Sequence, residues 1–191
     1  MANYTVKAIL QNFEEMLVEM PFSKVTVSAL VERCEISSNT FYYHFRDIYE
    51  LLDQWVSLKI DKYIDWNHEN PNWTKDLTNL LKAMQAKPAM IYHIWNAVPK
   101  ERLEQFVFGP VQDGFYKIVK KRLAGVEVSD DFVKAVSGFC CYSTLGFVLK
   151  FLWDQMKADP DEAVERLSRT LFGAIDYMVA RETEQVKLKK E

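Results

Sequence analysis

Apolar residues recur every three or four positions along most of this 191-residue chain. This spacing is typical of amphipathic α-helices, whose apolar side chains repeat with a period of 3.6 residues. Residues that favour turns are scarce: the chain has 6 Gly and 6 Pro, and no Gly precedes Gly109. So few turn-forming residues leave little room for the many turns of a sheet. The sequence therefore predicts an all-α fold.

Capping residues and helix breakers predict about nine helices. Pro21 ends the first, because proline has no N–H to continue the backbone ladder, and Gly109-Pro110 interrupts a later one. The predicted N-caps are Thr26, Ser37 or Ser38, Asp47 (with Glu50 completing a capping box) and Thr74. The predicted helices cover about residues 4–20, short stretches after Thr26 and after Ser37 or Ser38, then 47–66, 74–87, 89–97, 100–124, 130–158 and 161–182.

Composition limits the class of protein. An apolar fraction of 49% with 14% aromatic residues is typical of a globular chain. No stretch reaches the 18 apolar residues of a membrane span, and the N-terminus lacks the pattern of a signal peptide. Cys140 and Cys141 are adjacent and unsuited to pairing with each other, so they and Cys34 are expected to be reduced core residues. We expect a cytoplasmic protein with no membrane partner.

The charge balance argues against strong non-specific binding to nucleic acid. The chain carries 24 Lys and Arg against 27 Asp and Glu, a net charge of −3. Residues 1–50 alone hold four cations and seven anions. Because non-specific affinity for DNA depends on neutralising phosphates, it should be weak here.

Residues 24–52 carry the strongest functional signal. They predict two short amphipathic helices joined by a tight turn at Ile36. The second helix exposes hydrogen-bonding side chains from Ser37 to Thr40 and then Tyr42-Tyr43-His44. A short helix of this kind is typical of the recognition element of a helix-turn-helix, which enters the DNA major groove by its N-terminal end.

The same segment resembles the DNA-binding signature of the TetR family of transcriptional regulators. The matching residues are Val25-Thr26-Val27, Ile36-Ser37, Thr40-Phe41-Tyr42-Tyr43-His44-Phe45 and Glu50-Leu51-Leu52. The rest of the chain resembles the family in length and in its further helices, and residues 147–153 are similar to the subgroup of dihydroxyacetone-kinase operon regulators. The resemblance implies a three-helix helix-turn-helix DNA-binding domain over residues 1–47 and a helical-bundle regulatory and dimerisation domain over residues 48–191.

The resemblance also implies roles for individual residues. Ser38 and Asn39, at the start of the third helix, would contact base edges, while their neighbours and the start of the second helix would hold phosphates. Tyr43 would press on a thymine methyl group or on the DNA backbone. The predicted DNA-binding set is Lys24, Thr26, Val27, Ser28, Ser37, Ser38, Asn39, Thr40, Tyr42, Tyr43, His44 and Arg46.

Three residues depart from the family pattern. Glu35 occupies the place of the turn glycine, where a positive φ would cost a side chain roughly 1–2 kcal/mol. Ile48 replaces the lysine that opens the fourth helix and holds a phosphate, and Val31 replaces a small residue. Arg46 and Lys24 partly restore the missing charge. Binding is therefore expected to depend on hydrogen bonds and on dimer geometry more than on charge.

The C-terminal part is rich in large aromatic residues. Most are expected in the core, but such a bundle can also enclose a pocket for an apolar or aromatic small-molecule effector. In the family this pocket lies in the C-terminal body. The predicted pocket residues are Tyr92, Trp95, Phe106, Phe115 and Tyr142.

The last two helices are predicted to form a homodimer interface. Small residues stand between large apolar ones on the first, and an apolar stripe runs along the second. Packing within one chain is the alternative interpretation, while the resemblance implies a four-helix dimer interface. The predicted interface residues are Phe139, Tyr142, Gly146, Phe147, Lys150, Leu167, Leu171, Ile175 and Met178.

The sequence contains no recognisable catalytic constellation, metal-ligand spacing or phosphate-binding loop. We therefore expect neither an enzyme nor a cofactor or metal site. Two functions remain open. The first is a ligand-responsive regulator, a repressor, that binds a palindromic operator on double-stranded DNA as a homodimer. The second is a ligand-binding or protein-interaction module of the same fold in which DNA binding is weak or lost.

Overall fold

The computed structural model describes residues 2–64 and 72–188, with side chains described except at 2–3, 100, 102–107, 110 and 185–188. Within these residues the chain forms nine α-helices and no strand, which confirms the predicted all-α fold. The helices are α1 (Ala2–Glu19), α2 (Val27–Arg33), α3 (Ser38–His44), α4 (Ile48–Tyr63), α5 (Trp73–Ala86), α6 (Pro88–Trp95), α7 (Lys100–Arg122), α8 (Asp130–Trp153) and α9 (Pro160–Leu188). A 3-10 turn, Phe22–Lys24, joins α1 to α2.

The N-caps predicted for the first part of the chain are confirmed. The Thr26 hydroxyl accepts a hydrogen bond from the backbone N–H of Ala29 at 3.2 Å. Ser37 caps α3 in the same way, and the Asp47 carboxylate caps α4. These bonds satisfy N–H groups that have no partner inside the helix. Short polar side chains in the sequence thus determine where each of the three helices begins.

Several predicted boundaries were wrong, including the end of α9, which runs to Leu188 rather than to residue 182. The cap of α5 is Asn72 rather than Thr74: its amide oxygen accepts from the N–H of Lys75 at 3.2 Å. Helix α7 continues through residues 109 and 110, because a proline removes one backbone bond and need not end a helix whose other bonds remain. Helix α8 ends five residues earlier than predicted, at Trp153, where Gln155 and Met156 take positive φ values of 60° and 54°.

The described chain divides into two compact units. The first unit consists of residues 1–64 and 82–106, and the second of residues 65–81 and 107–191. Neither unit is continuous in sequence, and the domain boundary predicted at residue 47 stays a prediction. In the first unit, fully buried side chains of α1, α3 and α4 form one core, represented by Phe13, Phe41 and Leu51. Packing around this core orients α3.

Candidate DNA-binding surface

A Schellman motif closes α2 and forms the turn that leads to α3. The N–H of Ile36 donates to the carbonyl of Val31 at 3.0 Å, and the N–H of Glu35 donates to the carbonyl of Glu32 at 3.1 Å. This motif requires a left-handed residue after the helix, usually glycine. Glu35 adopts it with φ 53°, so the positive φ considered from the sequence is present. The turn therefore stores strain of roughly 1–2 kcal/mol.

Helix α3 is oriented by one buried aromatic ring and one cap. Phe41 is 0% exposed in the core of the first unit. The Ser37 hydroxyl accepts from the N–H of Thr40 at 3.1 Å, and the two hydroxyls lie 2.9 Å apart. With one face of this seven-residue helix anchored, Asn39 and Tyr43 on the other faces point to solvent, Tyr43 with 81% of its surface exposed. The exposed side chains of α3 are thus mostly hydrogen-bonding ones.

The predicted DNA-binding residues lie on consecutive segments of the first unit, at α2, α3 and their flanks. None of them is buried. Half-buried members are Val27, Thr40 and His44, and the exposed members are Lys24, Thr26, Ser28, Ser37, Ser38, Asn39, Tyr42, Tyr43 and Arg46.

Arg33 on α2 is paired within the protein. Its guanidinium donates to both carboxylate oxygens of Glu19, at 2.6 and 2.8 Å, and to Glu15 at 3.1 Å. The hydrogen bond to Glu19 raises the pKa of Arg33, even though desolvation opposes the shift. This cation therefore braces α2 against α1, and its charge is already matched by carboxylates.

Arg46 and Asp47 mark the entry to α4. The Arg46 side chain is 77% exposed, and its Nε lies 3.5 Å from an Asp47 oxygen. The other Asp47 oxygen caps α4 by accepting from the N–H groups of Tyr49 and Glu50. The Glu50 N–H is the main reason why the pKa of Asp47 is lowered. Ile48 is half-buried and packs against the core. It therefore adds to the core at a position where the lysine of the family pattern would bind a phosphate.

The predicted pocket residues do not line a common cavity in the described structure. Tyr92 and Trp95 are half-buried on α6 of the first unit, and Phe115 is buried in the second unit, edge-on to Trp73 at 5.6 Å. Tyr142 is 59% exposed on α8, and its role as a pocket wall stays a prediction. The side chain of Phe106 lies outside the described residues.

The predicted interface residues separate into an outward-facing and an inward-facing group. Leu171 and Ile175 are each 3% exposed, because they pack inside the second unit and leave almost no surface for a partner. Phe147, Leu167 and Met178 are half-buried. The exposed members are Phe139, Tyr142, Gly146 and Lys150, all on α8.

Helix α8 exposes an apolar seam, and only Phe139, Tyr142 and Gly146 of it were among the predicted interface residues. Its residues are Ala135, Phe139, Tyr142, Gly146, Leu149 and Trp153, spaced alternately four and three positions apart. Four of them are large, and Trp153 is 65% and Tyr142 59% exposed. An alternating spacing of four and three is the heptad pattern by which helices pack along a common seam. That spacing was the available signal for Ala135, Leu149 and Trp153.

Glu14 on α1 is a second feature missed in the sequence. Its carboxylate contacts Lys59 at 2.6 Å and Lys87 at 2.8 Å, and the Trp55 indole N–H donates to it at 3.4 Å. Burial alone would raise the pKa of Glu14, but hydrogen bonds from both lysines outweigh it and lower the pKa to about 2. The available signal was an acid in line with Leu10 and Leu17 on the apolar stripe.

A family model described as "Transcriptional regulator C-terminal region" matches residues 71–173, and another, "Bacterial regulatory proteins, tetR family", matches residues 9–54. None of the curated proteins matches the chain.

Several solved structures share the fold. The dihydroxyacetone kinase operon activator DhaS aligns with a TM-score of 0.69 at 16% identity, over 91% of this chain and 97% of that one. NalD, the secondary repressor of the MexAB-OprM efflux pump in Pseudomonas aeruginosa, gives 0.55 at 17% identity, over 90% and 96%. A transcriptional regulator from Aquifex aeolicus VF5 gives 0.54 at 18% identity, over 87% and 97%. At these identities the likeness concerns the fold alone.

Proposed function

The chain belongs to the TetR family of transcriptional regulators, and on this premise we propose that it is a ligand-responsive repressor that binds a near-palindromic operator as a homodimer. The observation that carries the proposal is the exposed polar side of α3, held by the Ser37 cap, the buried Phe41 and the turn at Glu35. A helix presented in this way has the form that enters a major groove.

In the proposed complex, Ser38 and Asn39 contact base edges and specify sequence. Thr26, Thr40 and Arg46 contact phosphates and fix the register of the helix on the duplex. The Thr26 hydroxyl accepts a capping bond and the Thr40 hydroxyl pairs with that of Ser37, yet each keeps further hydrogen-bonding capacity, since a hydroxyl both donates and accepts. The other members of the predicted set extend the same surface.

The apolar seam of α8 supports the homodimer. A stripe of exposed Phe, Tyr, Leu and Trp is costly to leave in water, and a second copy of α8 would cover it with the same pattern. The dimer would present two α3 helices to major grooves one helical turn of DNA apart, about 34–36 Å. By length and composition α8 is also apolar enough to cross a membrane, with a mean hydropathy of 1.5. The heptad spacing of its exposed apolar residues and the membership of the family favour a dimer of a cytoplasmic protein over a membrane span.

The proposed response to an effector is a shift of population. An apolar or aromatic small molecule would favour dimers in which the two α3 helices are wrongly spaced for the operator. Such a ligand must bind the two states with different affinities, because equal affinity shifts nothing. Repression is tested with a reporter gene whose promoter overlaps the operator: deleting the regulator should raise expression, and a fall would indicate activation.

The operator is tested by selection from randomised duplex DNA with the full-length protein at low and moderate salt. We expect a palindrome bound with nanomolar affinity. Asn39→Ala should weaken binding to it about tenfold by removing a base contact. Gln54→Ala, which removes an exposed polar side chain from α4, is the matched control and should leave the affinity unchanged.

A second function is favoured by the acidic N-terminal part. Residues 1–50 carry a net charge of −3, and Glu35 and Ile48 stand where the family has glycine and lysine. These features fit a TetR-fold module that binds a ligand or a protein and has weak or no affinity for DNA. Failure to recover any sequence at every salt concentration would favour this function over the first.

A further inference from the structure

The last turn of α1 contains a carbonyl that its own helix cannot satisfy. In an α-helix the carbonyl of residue i accepts from the N–H of residue i+4. For Leu17 that residue is Pro21, which has no N–H. The Leu17 side chain is 0% exposed, so this turn lies against the core. A carbonyl left unpaired in such surroundings is unfavourable, and the position requires a donor from elsewhere.

His93 on α6 supplies that donor. Its Nδ1 lies 2.8 Å from the carbonyl oxygen of Leu17, in a part-buried contact. Because a carbonyl only accepts, Nδ1 must carry the proton of the hydrogen bond. The neutral ring is therefore the Nδ1–H tautomer, and a protonated ring would keep the same bond. The neighbouring residues Met90 and Ile94 are buried in the core of the first unit and anchor this part of α6 there.

A second contact fastens α6 to the same face of α1. Lys87, the residue before α6, donates to Glu14 at 2.8 Å, and Glu14 lies one turn before Leu17 on α1. The Glu14 side chain is 22% exposed and also binds Lys59 of α4. Helix α6 is thus attached to α1 at two points, six residues apart along the chain, by one ion pair and one hydrogen bond.

We propose that His93 is a positioning residue that couples α6 to the helix-turn-helix through the carbonyl opposite Pro21. This inference rests on the proposed function for its effect on DNA binding. A movement of α6 must either carry the last turn of α1 with it or break the hydrogen bond.

The path from that turn to the recognition element is short and packed. Pro21 leads into the 3-10 turn, where Phe22 is 3% exposed, and then to Thr26, which caps α2. Four residues lie between Pro21 and Thr26, and their backbone hydrogen bonds restrict this segment: the N–H of Val25 donates to the carbonyl of Phe22 at 3.0 Å. A change at Leu17 therefore reaches α2 through connected backbone.

The hydrogen bond is tested first in the full-length parent protein. A ¹⁵N spectrum of the neutral imidazole of His93, recorded at alkaline pH, should have the signature of the Nδ1–H tautomer. A neutral ring protonated at Nε2 would overturn the proposal, because Nδ1 would then have no proton to donate. This measurement needs no DNA, so it stays informative even if the proposed operator binding fails.

The coupling is tested with three variants of α6. His93→Leu removes the donor, and we expect faster amide exchange at residues 17–26 and about tenfold weaker operator binding. His93→Asn keeps a donor near the position of Nδ1. It should restore most of the slow amide exchange at residues 17–26 and most of the operator affinity. Met90→Leu changes a buried α6 side chain at nearly constant volume and is the control for packing.

A merely structural role would give a different pattern. His93→Leu would then accelerate exchange throughout the first unit, and the operator affinity of the folded fraction would equal that of the parent. Pro21→Ala provides an independent check, because it places an N–H four residues after Leu17. In the Pro21→Ala background, the loss of operator affinity caused by His93→Leu should be at least several-fold smaller than in the parent protein. An equal loss in both backgrounds would contradict the coupling.

Discussion

Glu35 has a left-handed backbone conformation that is unfavourable for a residue with a side chain. It adopts φ 53° at the end of α2, where the two Schellman hydrogen bonds require a left-handed residue. Gln155 occupies the equivalent place after α8, with φ 60° and the same pair of bonds. Both helices end without the glycine that would relieve the strain.

Replacing Glu35 with glycine should stabilise the protein and strengthen operator binding. Glu35→Gly is expected to raise the free energy of unfolding by about 0.5–1 kcal/mol, because relief of the left-handed strain exceeds the entropy cost of glycine. It also removes a carboxylate from the turn between α2 and α3, beside the candidate DNA-binding surface. Chemical denaturation and operator titrations at two salt concentrations measure the two effects.

Gln155→Gly is the matched control for Glu35→Gly. It should raise the stability by a similar amount and leave operator affinity unchanged. A Glu35→Gly protein that unfolds more easily than the parent would contradict the assignment of strain to this turn.

Glu14 shows how a half-buried acid can remain charged. Its folded-state pKa of about 2 lies below the ordinary value of 4.5, because two lysine hydrogen bonds outweigh its burial. The stabilisation is therefore present above pH 4.5 and is lost as the pH falls towards 2.

Glu14→Gln should destabilise the protein in a pH-dependent way. At pH 7 we expect the free energy of unfolding to fall by about 1–2 kcal/mol, since the pairs are partly screened by solvent. The difference between variant and parent should shrink between pH 4.5 and 2, as measured by urea denaturation at several pH values. A difference independent of pH would exclude a role for the Glu14 charge.

Helices α2 and α3 depend on their surroundings more than on their own sequences. Each has seven residues, a length at which an isolated helix does not persist in water. Their caps determine where they begin, and burial of Leu30 and Phe41 holds them in place. The start of α4 follows the same logic, since Ile48 packs against the core. The rigidity of the candidate DNA-binding surface therefore depends on the packing of the core beneath it.

Helix α8 presents a test of the proposed dimer at Gly146. A Cβ atom added at this position would meet nothing within 4 Å inside one chain, and glutamate favours a helix more than glycine does. Gly146→Glu should therefore leave the monomer folded, while placing a carboxylate in the middle of the seam. We expect a monomer in analytical ultracentrifugation and a loss of operator affinity of at least tenfold.

Gly173→Glu on α9 is the control for Gly146→Glu. A Cβ atom added there also meets nothing within 4 Å, and the residue lies outside the seam. This variant should remain dimeric. A dimeric Gly146→Glu protein would contradict the assignment of the seam to the interface.

At the scale of the whole molecule, the proposed regulation depends on surfaces that belong to different units of the chain. The first unit carries the predicted DNA-binding residues and the contacts of α6 with α1, and the second carries the seam of α8. An operator with two half-sites would bind both recognition helices only when the dimer holds them at the right spacing. Weak non-specific affinity, expected from the acidic N-terminal part, would make this spacing matter more.

The amino-acid sequence alone determined the helical class, most helix positions, the caps at Thr26, Ser37 and Asp47, and the family. These features depend on periodicity and on hydrogen bonds between residues close in sequence. Tertiary structure decided the rest. It buried Leu171 and Ile175 within one chain, turned Tyr142 outward, assembled the lysines around Glu14 and brought His93 to Leu17. Burial and pairing between residues far apart depend on how helices pack, and no local pattern in the sequence encodes that packing.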